Sequence, residues 1–160
     1  MELYMLWQRL EGEQGHQVGR QLLQRLYTTY AGEKMPEICI APKGKPYFKD
    51  ENWYFSISHC KNHAFCVLCS CPVGLDAEEL SRSPSPILAE KALSSMEKQQ
   101  YDAATDKRKA LLTFWVLKEA AGKLTGEGIG FHPNHTEFML TDSRVQEIDG
   151  CLVAIVTEEK

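Results

Sequence analysis

Apolar and polar positions alternate along the chain in two rhythms, and the change of rhythm marks the elements. Residues 3–10 read as a first strand and residues 11–15 as a turn. Val18, Leu22, Leu23, Leu26, Tyr27 and Tyr30 recur at helical spacing, which predicts an amphipathic helix over 16–30 that Gly32 ends. Residues 38–41 and 53–58 are strand-like, with the turn Gly44-Lys45-Pro46 between them, and residues 64–71 form a continuous apolar run of strand length. Residues 73–78 are a further strand, followed by a polar, proline-containing loop over 81–86. Ser94 and Glu97 have the spacing of a capping box that opens a helix to about residue 104. Asp106 caps the next helix, which runs to about residue 124, where Gly126 and Gly128 stop it. Residues 136–141 and 151–157 read as two closing strands.

Strand, helix, strand, strand therefore appears twice, with a junction near Pro72. This predicts an α+β fold of two halves, 1–72 and 73–160, within one compact unit. The repeat is one of element order, not of residues. At 160 residues the chain is long enough for one real core, and its hydrophobic and charged contents are those of an ordinary globular protein. A net charge of -4 argues against a general nucleic-acid binder. No apolar run approaches the roughly 18 residues of a membrane span. The first residues lack a basic region and a small-residue cleavage site, so a cytoplasmic location is the expectation.

Six cysteines need an assignment. Cys66 and Cys69 are an odd number apart on a strand and face opposite sides, so they do not easily share a metal. They read as small buried hydrophobes, while Cys39, Cys60 and Cys151 are scattered. His132-Pro133-Asn134-His135 lies in a Pro/Asn turn and reads as loop.

The residues with chemistry in them fall into four pieces. Trp115 to Lys123 places Lys118, Glu119 and Lys123 in an otherwise apolar helical segment. Glu119 and Lys123 share a face, and Lys118 projects from the flank. Asp76 and Glu78 stand two apart at a strand end, pointing the same way after Gly74. Their mutual repulsion would be relieved by a hard cation, and magnesium suits the arrangement because it takes a few carboxylate oxygens and completes its shell with water and phosphate. Gly74 suggests close backbone packing or close approach of a ligand. Ser58-His59 ends an aromatic strand, and Lys45 sits in a Gly-Lys-Pro turn. Each piece alone also has an ordinary reading: a solvated Glu-Lys pair, a wet acidic strand end, a structural histidine, a turn lysine.

In this order the four pieces resemble the 4'-phosphopantetheinyl transferases, specifically the surfactin-type branch, over residues 44–123. That resemblance implies a pseudo-twofold monomer of two similar α+β halves with the active site in the cleft between them. It implies transfer of 4'-phosphopantetheine from coenzyme A to a serine of an apo acyl or peptidyl carrier protein, with release of 3',5'-ADP. Asp76, Glu78 and Glu119 would hold Mg2+. Lys118 and Lys123 would support the pyrophosphate, and Lys45, Ser58 and His59 would contact the coenzyme. Asp76, Glu119 and Lys123 would be the catalytic set, with Glu119 or a water taking the serine proton. Basic residues near the first helix are thin, leaving Arg9, Arg20 and Arg25 as candidates for the 3'-phosphate. Two rivals stay open: the short, trimeric holo-acyl-carrier-protein synthases, and a non-catalytic module that binds coenzyme A or a carrier.

Overall fold

Residues 1–127 and 136–158 are described by the computed structural model. The chain opens with β1 (Leu3–Arg9), α1 (Gly15–Tyr30), β2 (Ile38–Ile40), β3 (Pro46–Phe48), β4 (Tyr54–His59) and β5 (His63–Cys69). It continues with β6 (Val73–Glu79), α2 (Ile87–Ala92), α3 (Ser95–Ala103), α4 (Lys107–Thr125), β7 (Val145–Ile148) and β8 (Cys151–Thr157). Among the described residues no helix is long and apolar enough to cross a membrane.

β5 explains the layering. All seven of its residues are buried, which requires cover on both faces. Ala64, Cys66 and Leu68 pack against Val18, Leu22, Leu23 and Leu26 of α1. Phe65, Val67 and Cys69 face the other way, onto Val73, Leu75 and Ala77 of β6 and Cys151 and Val153 of β8. The period of two thus sends Cys66 and Cys69 to opposite cores, as expected from their spacing. β8 repeats the arrangement, with Leu152, Ala154 and Val156 meeting Leu112, Val116 and Leu117 of α4. The order of layers is α1, sheet, sheet, α4. Each fully buried leucine in these clusters is worth about 1.5–3 kcal/mol.

The two main sheets are antiparallel and have the orders β1-β5-β4 and β6-β8-β7, with β2 and β3 forming a separate hairpin around Gly44. They meet at their edges, β4 beside β6. There Ser56 Oγ accepts a hydrogen bond from the Leu75 amide at 3.0 Å, and Ser58 Oγ accepts one from the Ala77 amide at 3.1 Å. Serine hydroxyls thereby satisfy a strand edge that would otherwise bury unpaired donors.

The helix ends follow their sequence signals. Ser94 and Glu97 form the reciprocal capping box of α3, Asp106 accepts from the Lys109 amide at 3.0 Å, and Gly126 closes α4 in the left-handed region at φ 77°. Residues 136–141 are a correction: they form no strand. Phe138 is buried and Met139 exposed, so the alternation is real. But the Phe138 amide bonds Glu97 Oε2 at 2.9 Å and the Leu140 amide bonds Gln100 Oε1 at 3.0 Å, so α3 side chains replace a neighbouring strand. The strand preceding β8 is instead β7. α2 and β3 are also additions to the sequence reading. Gly128 and His132-Pro133-Asn134-His135 lie outside the described residues.

Candidate active site

α4 lies directly on β6, and Gly74 is the reason it can. A Cβ at that position would stand 1.9 Å from the Ala120 carbonyl oxygen and 2.6 Å from the Leu124 amide nitrogen. Of the two readings of Gly74, close backbone packing is the one the structure realises. On a strand, Gly74, Asp76 and Glu78 share a face, so the helix that settles on Gly74 carries Glu119 and Lys123 alongside the two carboxylates. Lys123 Nζ stands 3.1 Å from Asp76 Oδ1 and 3.4 Å from the Ile57 carbonyl, joining α4 to both β6 and β4. Ser58 Oγ adds a donor to Asp76 Oδ1 at 3.3 Å.

Asp76 is buried, and its second oxygen, Oδ2, has no hydrogen-bond partner. Burial raises its pKa to about 7, against the opposing pull of Lys123. Glu119 is raised in the same way, by burial first, with Lys123 opposing. Glu78 Oε1 is held at 2.5 Å by Arg82, a partner that the sequence reading did not include.

Asp76, Glu78, Glu119 and Lys123 open onto a cleft of about 630 Å³ whose other wall is N-terminal. Lys45, Ser58, His59, His16 and Arg20 line that wall. Lys45 Nζ donates to the Leu124 carbonyl at 2.7 Å, so the turn lysine reaches across to the negative end of α4. Burial pulls its pKa down. The His59 ring covers the first turn of α1: a Cβ on Gly15 would meet it at 2.6 Å. Arg20 Nε is buried without a partner. Arg9 instead pairs with Asp149 through two 2.6 Å hydrogen bonds, away from the cleft, and Arg25 does not line it.

Lys118 is placed apart from the other residues of its helical segment. It does not line the cleft. Its ammonium is buried 2.7 Å from Glu97 Oε1, in a pair whose side chains are 3% and 0% exposed, and it donates to the Thr136 carbonyl at 3.3 Å. Its role is to join α4 to α3.

Two buried or half-buried carboxyls with raised pKa values, one bearing an unpartnered oxygen, are a donor set that fits a hard divalent cation. Asp76, Glu78 and Glu119 would hold it. They line one cleft without closing into a ligand triangle. Lys123 holds one Asp76 oxygen and Arg82 holds Glu78. Among the described residues, the group of three ligating atoms within 4.8 Å of one another is a different one, Cys60, His63 and Cys151.

No curated protein matches the chain. A family model does: the one described as the 4'-phosphopantetheinyl transferase superfamily matches residues 72–157, from the start of β6 to the end of β8. That span is more than half of the 160 residues and contains Asp76, Glu78, Glu119 and Lys123. The chain belongs to the 4'-phosphopantetheinyl transferase superfamily.

Proposed function

We propose that the chain moves 4'-phosphopantetheine from coenzyme A to a serine of an apo acyl or peptidyl carrier protein, with Mg2+ as the cation and 3',5'-ADP as the leaving product. The observation that carries this reading is the cleft itself. Asp76, Glu78 and Glu119 line one wall, and Lys45 and Arg20 line the other. A magnesium ion bound by the carboxylates would neutralise the pyrophosphate and the charge that grows on the leaving oxygen.

This chain's residues supply position and charge. Lys123 is near enough to Asp76 to exchange that partner for a phosphate oxygen as a point charge. Lys45 and His59 face the coenzyme from the N-terminal wall, and Arg20, with its unpartnered Nε, is the candidate for the 3'-phosphate. Ser58 works on Asp76, because its hydroxyl is committed to that carboxylate and to the Ala77 amide. Glu119, or a water beside it, receives the proton of the incoming serine hydroxyl. Burial makes Glu119 a stronger base than an exposed carboxylate.

The same reading assigns the chain to the surfactin-type branch, acting as a cytoplasmic monomer of two pseudo-twofold halves, 1–72 and 73–160. The sheet orders support the halves: each sheet places its first strand beside its last, and its last beside its penultimate. The test mixes the protein with coenzyme A, Mg2+ and an apo carrier and weighs the intact carrier. The carrier is expected to gain one phosphopantetheine, and chelator, Glu119→Ala or Asp76→Ala to abolish the gain. Failure with several carriers, together with retained coenzyme A binding, would favour a non-catalytic module.

A further inference from the structure

We propose that Cys60, His63 and Cys151 form a second metal site, suited to zinc, outside the carboxylate cleft and clamping the β4–β5 turn to the β7–β8 hairpin. The sequence scatters these residues, but the fold gathers one ligating atom from each within 4.8 Å of the others. His63 and Cys151 are buried and Cys60 is half-buried. The two sulfurs lie 4.0 Å apart. Ligands about 2.3 Å from a tetrahedral zinc stand roughly 3.8 Å from each other. A disulfide needs about 2.05 Å. The observed spacing is too long for a disulfide and leaves room for one ion between the sulfurs.

His63 sits between two carboxylates, one at each ring nitrogen, and the Asp149 contact is the shorter. Its Nε2 lies 2.8 Å from Asp149 Oδ2. A carboxylate on one ring nitrogen fixes the tautomer and turns the other into the ligand, here Nδ1. Asp149 is itself fixed twice. Arg9 grips both of its oxygens at 2.6 Å, and its backbone holds φ 48° in a two-residue turn with Gly150. Such Asp-Gly turns set hairpin register tightly, and Cys151 follows directly. Glu79 Oε1 lies 3.5 Å from Nδ1, where the Asn62 amide orients it at 2.7 Å, but it stands outside the group of three ligating atoms. A shallow opening of about 370 Å³, lined in part by His63, Asn62 and Asp149, adjoins the cluster on its Asp149 side.

Binding would replace the proton of each thiol, and both would leave to solvent. The consequence for the fold is local. Cys60 follows His59 at the end of β4, and Cys151 is paired with Glu79 on β6. A metal there would hold the two strand ends together, two residues along β4 from Ser58 and three along β6 from Asp76.

The test uses the full chain, purified with its thiols reduced, and Co2+ alone as the probe. A thiolate-to-cobalt charge-transfer band is expected at one cobalt per chain. Cys60→Ser and Cys151→Ser should each lose it, whereas Asp76→Asn and Glu119→Gln should keep it. Asp149→Asn should weaken cobalt binding by about 10–100-fold. A second measurement needs no variant: saturating Zn2+ should slow alkylation of Cys60 in the natural chain at least roughly tenfold, since a metal-bound thiolate is withheld from the reagent. Absence of the band, its survival in Cys151→Ser, its loss in Asp76→Asn, or unprotected alkylation of Cys60 would each overturn the proposal.

Discussion

Lys123 Nζ lies 3.1 Å from Asp76 Oδ1 and leaves Asp76 Oδ2 buried without a partner. One lysine therefore answers half of a buried carboxylate, and burial raises that carboxyl from 3.8 to about 7. The folded chain then holds a proton that the unfolded chain releases. The stability so gained is complete below about pH 4 and is lost as pH rises to about 7, beyond which the contribution is flat. At about 1.4 kcal/mol per unit the effect is on the order of 4 kcal/mol. Asp76→Asn imitates the protonated form. Its melting temperature relative to the natural chain, both without metal, should rise between about pH 5 and pH 7 and then level. Mg2+ requires the ionised form, so it should raise the melting temperature of the natural chain more at about pH 8 than at about pH 6. A variant-to-natural difference independent of pH would remove Asp76 as the responsible group.

Gly74→Ala should disturb fold and site together. The added methyl meets backbone atoms at 1.9 and 2.6 Å, and backbone cannot rotate aside as a side chain can. α4 must lift from β6, taking Glu119 and Lys123 with it. Overpacking of this kind costs about 3 kcal/mol. Urea denaturation should show a loss of that order, with Mg2+ binding weakened in whatever fraction stays folded. Unchanged stability would mean that α4 does not rest on this residue.

The layers were legible because they depend on local period. The continuous run in β5 demanded cover on two sides, and the separation of Cys66 from Cys69 sent them into different cores. Asp76 and Glu78 were legible as a pair for the same reason. What local pattern does not carry is the identity of the neighbour. Alternation over 136–141 stated which side chains go inside, but α3, not a strand, received the backbone hydrogen bonds. Lys118 stands beside Glu119 in sequence yet turns to Glu97, because neighbours on a helix diverge by about 100°. The capping role of Glu97 was visible at a spacing of three, while its second role as the partner of Lys118 spans two helices. Cys60 and Cys151 are 91 residues apart, and no motif spacing connects them.

The Glu97–Lys118 pair yields a test that separates support from ligand binding. Removing one member of a buried pair leaves the other charge uncompensated, at about 3–5 kcal/mol. Lys118→Ala should lose stability on that scale in a denaturant titration. At a temperature where the variant is folded, its KM for coenzyme A should match that of the natural chain. The double change Glu97→Gln with Lys118→Met should recover part of the stability, because no charge is then stranded. A raised KM with intact stability would return Lys118 to the cleft.

Arg20 is the cation on α1 that lines the cleft, and its Nε is buried without a partner, whereas Arg9 is committed to Asp149. A buried guanidinium nitrogen without an acceptor is costly in the absence of ligand, and a phosphate oxygen would satisfy it. If that phosphate is the 3' group of coenzyme A, the residue should distinguish the coenzyme from its 3'-dephospho form. Arg20→Ala should raise KM for coenzyme A by about tenfold, the equivalent of one charge-assisted hydrogen bond near 1.4 kcal/mol. It should leave KM for 3'-dephospho-coenzyme A unchanged, since that substrate makes no such contact in either protein. Arg20→Lys should recover only part of the difference, because a lysine returns charge but not the forked donor geometry. Equal losses with both substrates would place Arg20 on another part of the coenzyme, and no loss with either would leave its Nε as a purely structural cost.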